Sequence, residues 1–408
     1  MGLVCGNILQ TKPPRGDTFD VMARIALNGR LLVPGKMEGI GIFTLHCLKE
    51  LVDLRPNDTF LLLVDRPDDA LFHWGDRVEV RRIWVPGRRP WLLRLWFDAA
   101  VPWVLRQWRA DAFVSLEGPI SLGMPREFPQ LSVIHDLNFE HRPEWLPRTW
   151  ARYYRGMFPR FAQKAHVLCT VSEASKQDIV HRYGVEAGSI HVIPNAASSE
   201  FVPMNAQERR ASQEALSEGR PYFVFVGSLH PRKNLEGLLE AFGMYCARGG
   251  AWDLVVVGVA MWPQSEHHSS INGLRDADVD SRVHWVGRLN DGALAQAVGG
   301  AEALVFVPWF EGFGIPVVEA MASGTPVICS NTSALPEVCG GAAFALVPPG
   351  DASRIAEAML ALSEEPERRA RCVQAGLERA GMFSWAQSGV KLNTAVNTLL
   401  TAPQTGHG

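Results

Sequence analysis

Thirteen short apolar runs rich in Val, Ile and Leu, each separated from the next by helical patterning, constrain this 408-residue chain more than any other feature. The runs are continuous rather than alternating. Both faces of each strand should therefore be covered, as in parallel sheets flanked by helices. In the first half the candidate strands are 24–28, 59–65, 78–85, 112–116, 131–135, 167–171 and 191–194. In the second half they are 222–227, 254–259, 283–286, 303–307, 327–329 and 343–347. Two such series predict an α/β chain with two doubly wound domains. A polar stretch, 198–220, with a proline near each end, separates them. The expected division is 1–198 and 199–384, with an amphipathic helix within 385–408.

Composition narrows the function. Hydrophobic residues make up 47% and charged residues 20%, enough apolar material for large cores. A net charge of −3 argues against a dedicated nucleic-acid binder. No run of about 18–20 apolar residues predicts a membrane-spanning helix. The first residues lack a charged start followed by a long apolar core, so no secretory signal is expected. Seven cysteines without CxxC spacing fit a reducing cytoplasm, with neither a disulfide framework nor a zinc site.

In open parallel sheets, ligands bind beyond the carboxyl ends of the strands. The loops after the strands are the places to seek chemistry. After the strand ending near Val307 comes Pro308-Trp-Phe-Glu-Gly-Phe-Gly-Ile-Pro-Val-Val-Glu-Ala-Met-Ala. Gly312 and Gly314 allow a tight turn and close backbone approach. Pro316 suits the start of a helix, whose free N–H groups would attract a diphosphate. Glu311 sits on the loop and Glu319 is expected in the first helical turn; either carboxylate can accept hydrogen bonds from sugar hydroxyls. A lone Glu there would merely complement the helix dipole, but the glycine turn and the second Glu favour a site. After the strand at 222–227 comes Gly227-Ser-Leu-His-Pro-Arg-Lys-Asn234. Arg232 and Lys233 are fixed cations suited to a doubly charged leaving group, and Asn234 is a candidate N-cap.

Weaker signals lie in the first half. Glu38-Gly-Ile-Gly-Ile-Phe-Thr44, ahead of a helical run over 45–52, lacks the third glycine of a dinucleotide fingerprint, which disfavours a dehydrogenase. His135 ends a strand and can reach a sugar hydroxyl or a phosphate. Asp276-Ala-Asp-Val-Asp280, near Glu266, His267 and His268, has spacing that a divalent metal accepts, but a solvated polar loop is the better reading.

Together these loops resemble the glycosyltransferases of family 4, which have the GT-B fold: two Rossmann-like domains facing across a cleft. The run at 311–322 matches that family's E-x7-E signature. Gly227 through Asn234 matches its phosphate loop, with Ser228 where some members carry a basic residue. Val286-Gly-Arg-Leu289 matches the loop beside the nucleotide base. Thr170-Val-Ser-Glu-Ala-Ser175 and Ile193-Pro-Asn195 also match.

The resemblance implies a retaining enzyme moving a sugar from a nucleotide-sugar to an acceptor hydroxyl, without a cofactor and without a metal. Catalytic roles fall to Glu311, His135, Lys233 and Arg232. Donor binding falls to Gly41, Gly227, Ser228, Arg232, Lys233, Arg288, Leu289, Glu311, Gly312, Phe313, Gly314, Ile315 and Glu319. Within that set Glu311 would contact the donor sugar, Glu319 the ribose, and Arg232, Lys233 and Gly41 the diphosphate. The C-terminal helix after Trp385 would cross back to the first domain. The segment Ile134–Trp145 with Ser333-Ala-Leu-Pro-Glu337 looks like bacterial mannosyltransferases of polysaccharide or O-antigen assembly, so GDP-mannose is the first donor. UDP-glucose or another nucleotide-sugar with a soluble acceptor is the alternative. A catalytically silent nucleotide-sugar-binding subunit is the reading from another class.

Charge is uneven along the chain: 1–198 hold 25 basic and 21 acidic residues, and 199–408 hold 15 and 22. Residues 81–109 carry seven arginines, one acid and five tryptophans: Trp84, Trp91, Trp96, Trp103 and Trp108. Residues 142–164 carry six basic residues and one acid, with Trp145 and Trp150. Basic residues beside aromatics suit an anionic membrane interface. The expectation is a cytoplasmic protein, peripheral on the inner membrane face, acting on a saccharide or lipid-linked acceptor and on no nucleic acid. The competing reading places these tryptophans in the core.

Overall fold

All thirteen apolar runs are strands in a computed structural model, which describes residues 22–401 apart from 36, 67–71, 86, 88 and 260–276. Seven lie in a first sheet: β1 Arg24–Asn28, β2 Thr59–Val64, β3 Val78–Arg82, β4 Ala112–Ser115, β5 Gln130–Val133, β6 Val167–Thr170 and β7 Ile190–Val192. Their order is β3-β2-β1-β4-β5-β6-β7. Six form a second: β8 Tyr222–Val226, β9 Asp253–Val257, β10 Val283–Gly287, β11 Ala303–Phe306, β12 Val327–Ser330 and β13 Ala345–Val347. Their order is β10-β9-β8-β11-β12-β13. Every pairing is parallel. In each sheet the first strand in sequence sits beside the fourth, so the order reverses there and opens a crevice at the carboxyl ends.

The pattern of burial explains the continuous apolar runs. β8 and β9 are buried at every position, as are β4, β5 and β6. β3, at the edge of the first sheet, has no fully buried residue and carries Arg81 and Arg82, which blunt an open edge. The last helix, Trp385–Thr401, packs against the helix Gly39–Leu54 and touches β4 through β7. It therefore lies on the first sheet, although it follows the second in sequence. Ser388 donates to the carbonyl of Pro194 at 2.6 Å, tying that helix to the connection between the sheets. Among the described residues no helix is long and apolar enough to cross a membrane.

Two local expectations change. The helical run placed at 45–52 begins six residues earlier, at Gly39, with Glu38 as N-cap. Gly41 is therefore not in a loop but at the third helical position, where it is buried. The tryptophans at 84–108 divide. Trp96 and Trp108 are core residues, whereas Trp84, Trp91 and Trp103 are at least 61% exposed. Periodicity alone could not separate them, because a π-helical turn over Trp96–Ala100 rotates the helix face between Pro90–Leu95 and Val101–Trp108. Asp276 and residues 266–268, named above as a metal-like spacing, lie outside the described residues.

Candidate active site

Four of the loops singled out in the sequence converge between the sheets. The centre is Glu311, a buried carboxylate on the loop after β11. Its Oε1 accepts from Lys233 Nζ at 2.6 Å and pairs with Arg232 Nη1 at 2.7 Å. Arg232 also donates to the carbonyl of Phe310 at 2.9 Å, and Trp309 N–H donates to the carbonyl of Arg232 at 2.9 Å. The two loops are thus laced together by backbone as well as by charge. Burial alone would raise the Glu311 carboxyl, but the charges of Arg232 and Lys233 outweigh it and hold it below its ordinary value. Burial pulls the Lys233 ammonium down, with Glu311 opposing. Burial also works against the Arg232 charge, yet Glu311 and then Asp136 leave it raised.

Asp136 was not among the candidate residues. It belongs to the loop after β5, in the first domain, and acts on both cations of the second. The signal was its place beside His135 at a strand end. His135 Nε2 lies 2.7 Å from the carbonyl of Leu116. A carbonyl only accepts, so Nε2 carries the proton. Burial lowers the His135 pKa, and the ring stands edge-on to Phe43, with centroids 4.9 Å apart.

The glycine turn is shaped for contact. A β-carbon on Gly312 would lie 2.5 Å from the carbonyl oxygen of His135, so the loops of the two domains touch at that point. Gly314 has φ of 99°, a left-handed conformation open to glycine at little cost. It caps the helix Ile315–Ala322, with Pro316 at its second position. Phe313 is buried edge-on against Phe383, with centroids 5.4 Å apart, so only its backbone is available to a ligand.

Two helix-end expectations need correction. Glu319 is the fifth residue of its helix rather than part of the first turn, so it does not complement the exposed N–H groups there. It is buried, and burial together with Asp291 pushes its carboxyl up to about 8. Asn234 does sit before the helix Leu235–Ala247, but its side chain does not cap it. It donates instead to the carbonyls of Val307 and Pro349 at 2.9 and 2.7 Å, fastening the Arg-Lys loop to neighbouring loops.

The remaining candidates are placed as follows. Gly227 N–H donates to the carbonyl of Val257 at 3.0 Å, and Ser228 follows it on the loop into Lys233. Arg288 donates to the carbonyl of Met37 at 2.8 Å, one residue ahead of the Glu38 cap, and so bridges the domains. Leu289 packs against the core. Ile315 faces Gly39, whose β-carbon would lie 3.5 Å from the Ile315 Cδ1. Gly41 is one helical half-turn further on.

The raised Glu319 carboxyl has a consequence for stability. Between about pH 4.5 and about 8 the folded chain holds a proton there that the unfolded chain has released. Stability therefore falls as pH rises through that window and levels off above it. Glu319→Gln is expected to remove this slope, worth at most about 4–5 kcal/mol. Melting temperatures of both proteins from pH 5 to 9 check it; parallel curves would contradict it.

Two family models match this chain. Residues 37–201 match Glycosyltransferase Family 4, and residues 206–379 match Glycosyl transferases group 1. The two stretches take in most of the chain, one on each sheet. The chain belongs to glycosyltransferase family 4. Among relatives, it is 28% identical over 258 residues to O-antigen chain mannosyltransferase B of Escherichia coli, which is 62% of this chain and 66% of that protein. It is 31% identical over 246 residues to the MMP alpha-(1->4)-mannosyltransferase of Mycolicibacterium hassiacum, 59% of this chain and 56% of that one. The matched stretches thus span less than two thirds of those relatives' own lengths.

Solved structures agree with the GT-B architecture of this family 4 member. A sucrose-phosphate synthase from Thermosynechococcus elongatus superposes with a TM-score of 0.75 at 20% identity, covering 93% of this chain and all of that one. Anabaena HepE in complex with UDP-glucose gives 0.70 at 18% identity, covering 92% and 99%. At such identities the likeness concerns the fold.

Proposed function

We propose that this family 4 member transfers mannose from GDP-mannose to a hydroxyl of a saccharide acceptor, with retention of anomeric configuration, in polysaccharide assembly. One observation carries this reading: buried Glu311 and Lys233, with half-buried Arg232, form an ion cluster just ahead of the Ile315–Ala322 helix. Breaking the bond between the anomeric carbon and the phosphate oxygen builds positive charge on the sugar and negative charge on the departing diphosphate. Arg232, Lys233 and the helix N–H groups face the negative end. Glu311 contacts the donor sugar, Glu319 holds the ribose, and neutral His135 lies against the transferred sugar. The acceptor oxygen bonds to the anomeric carbon on the face the phosphate leaves, and the acceptor proton passes to the departing phosphate oxygen. Fixed charges in a closed cleft stabilise such a state by about 3 kcal/mol for one well-aimed donor. The mannosyltransferase names of the relatives support mannose as the sugar.

The acceptor is lipid-linked in this reading, and the protein works at an anionic membrane face. The support is the exposed trio Trp84, Trp91 and Trp103, with Leu95 also exposed, on a segment dominated by arginine. Arg82 lies over the Trp84 ring, its guanidinium carbon 4.0 Å from the centroid. Each basic residue near such a surface adds about 1 kcal/mol.

Sugar transfer from labelled GDP-mannose, UDP-glucose and other nucleotide-sugars, with and without vesicles containing anionic lipid, tests both parts. Selective use of GDP-mannose and flotation with anionic but not neutral vesicles are expected. Flotation should weaken in a Trp84→Ala/Trp91→Ala/Trp103→Ala variant. Use of UDP-glucose with a water-soluble acceptor, and no flotation, would favour the alternative donor and a soluble product.

A further inference from the structure

The two domains meet through a contact that none of the proposed donor-binding residues makes. The helix Glu173–Tyr183 belongs to the first domain, directly after β6. Ser172 caps it conventionally, its Oγ accepting from Ser175 N–H at 3.0 Å. That leaves the N–H groups of Glu173 and Ala174 to find partners. Both are taken by one side chain of the second domain. Glu337 Oε1 accepts from Glu173 N–H and Oε2 from Ala174 N–H, each at 2.9 Å. A carboxylate astride a helix N-terminus combines two charge-assisted hydrogen bonds with the favourable dipole.

The same strap of chain reaches the reacting centre. Glu311 N–H donates to Ser333 Oγ at 3.0 Å, four residues before Glu337. From the other side, the hydroxyls of Ser172 and Ser175 donate to the carbonyl of Gly312, at 2.7 and 3.2 Å. Ser175 also donates to the carbonyl of His135 at 3.0 Å. One helix start in the first domain therefore holds the His135 loop, the backbone after Glu311 and the Glu337 carboxylate together.

We infer that Glu337 is an interdomain latch: a positioning residue whose carboxylate, clasping the Glu173 and Ala174 amides, holds the cleft closed with Glu311 and His135 in register. Opening to admit donor or release product breaks these two bonds. Glu337 touches no reacting atom and acts through the helix it clasps. Its kinetic consequence rests on the proposed sugar transfer; the latch itself does not.

The test compares the full chain with Glu337→Ala and Glu337→Gln. Amide hydrogen exchange at residues 173 and 174 is read alongside β6, with small-angle scattering of each protein without ligand. In Glu337→Ala, exchange at the two amides is expected to rise about tenfold while β6 keeps its protection, and the scattering radius is expected to grow. Glu337→Gln keeps one acceptor oxygen and no charge, and should fall between. With donor, KM should rise severalfold and kcat should change by less than about twofold. Wild-type exchange at 173 and 174 in Glu337→Ala would overturn the latch. So would faster exchange spread equally into β6, which marks general loosening. Should the chain transfer no sugar from any donor, the exchange and scattering results still decide the latch, and only the function proposed above fails.

Discussion

Lys233→Met is expected to lower sugar transfer by about two to three powers of ten while leaving a folded protein. The lost group is the ammonium that, in the proposed transfer, faces the departing diphosphate. Folding survives because Glu311 is not left alone. Its Oε1 still pairs with Arg232 at 2.7 Å, and Arg232 is itself anchored to the carbonyl of Phe310. Stranding a buried carboxylate with no partner costs about 3–5 kcal/mol. That penalty should appear only when both cations are removed. Arg232→Met/Lys233→Met is therefore expected to melt far below either single variant. Initial rates with saturating donor and thermal unfolding of the three variants check both statements. A wild-type rate in a well-folded Lys233→Met protein would remove the cluster from the mechanism.

That cluster was legible in the sequence because its members sit on loops after strands, and the strands announced themselves as continuous apolar runs. Every one of those runs is a strand, since burial on both faces leaves no room for alternation. The Glu311–Glu319 spacing and the adjacent Arg-Lys pair also needed no structure to be noticed. What could not be read is whatever depends on one domain touching the other. Asp136 influences Arg232 and Lys233 across the cleft, and nothing in its local sequence says so. Ser333 and Glu337 were visible only as part of a familiar string, because their partners at 311 and 173–174 are fixed by how the sheets face each other. Helix phase was the other blind spot. A single π-helical turn at Trp96–Ala100 decides which tryptophans are core, and hydrophobic spacing assumes the ordinary period.

Gly258→Ala is expected to be the most damaging small substitution in the second domain, although Gly258 carries no side chain. β8 and β9 run side by side, and Gly227 and Gly258 are the residues that leave them. A β-carbon at 258 would collide with the carbonyl oxygen of Gly227, a backbone atom that cannot swing aside. Gly227 is held in turn by its N–H bond to the Val257 carbonyl at 3.0 Å. Relief must come from parting the two chains where Gly227 starts the loop carrying Arg232 and Lys233. Overpacking of this kind costs about 1–3 kcal/mol, which corresponds to a melting temperature lower by roughly 2–12 °C. The functional loss should exceed the loss of stability, since a shift of about 1 Å at a catalytic group costs about a hundredfold in rate. Gly243→Ala is the control. Gly243 lies inside the helix Leu235–Ala247 with nothing within 4 Å of its β-carbon, so alanine there should stabilise by up to about 1 kcal/mol. Thermal unfolding and initial transfer rates for the two variants separate the cases. If Gly258→Ala melts and reacts like wild type, the close passage of the two strand ends is not what positions the Arg-Lys loop.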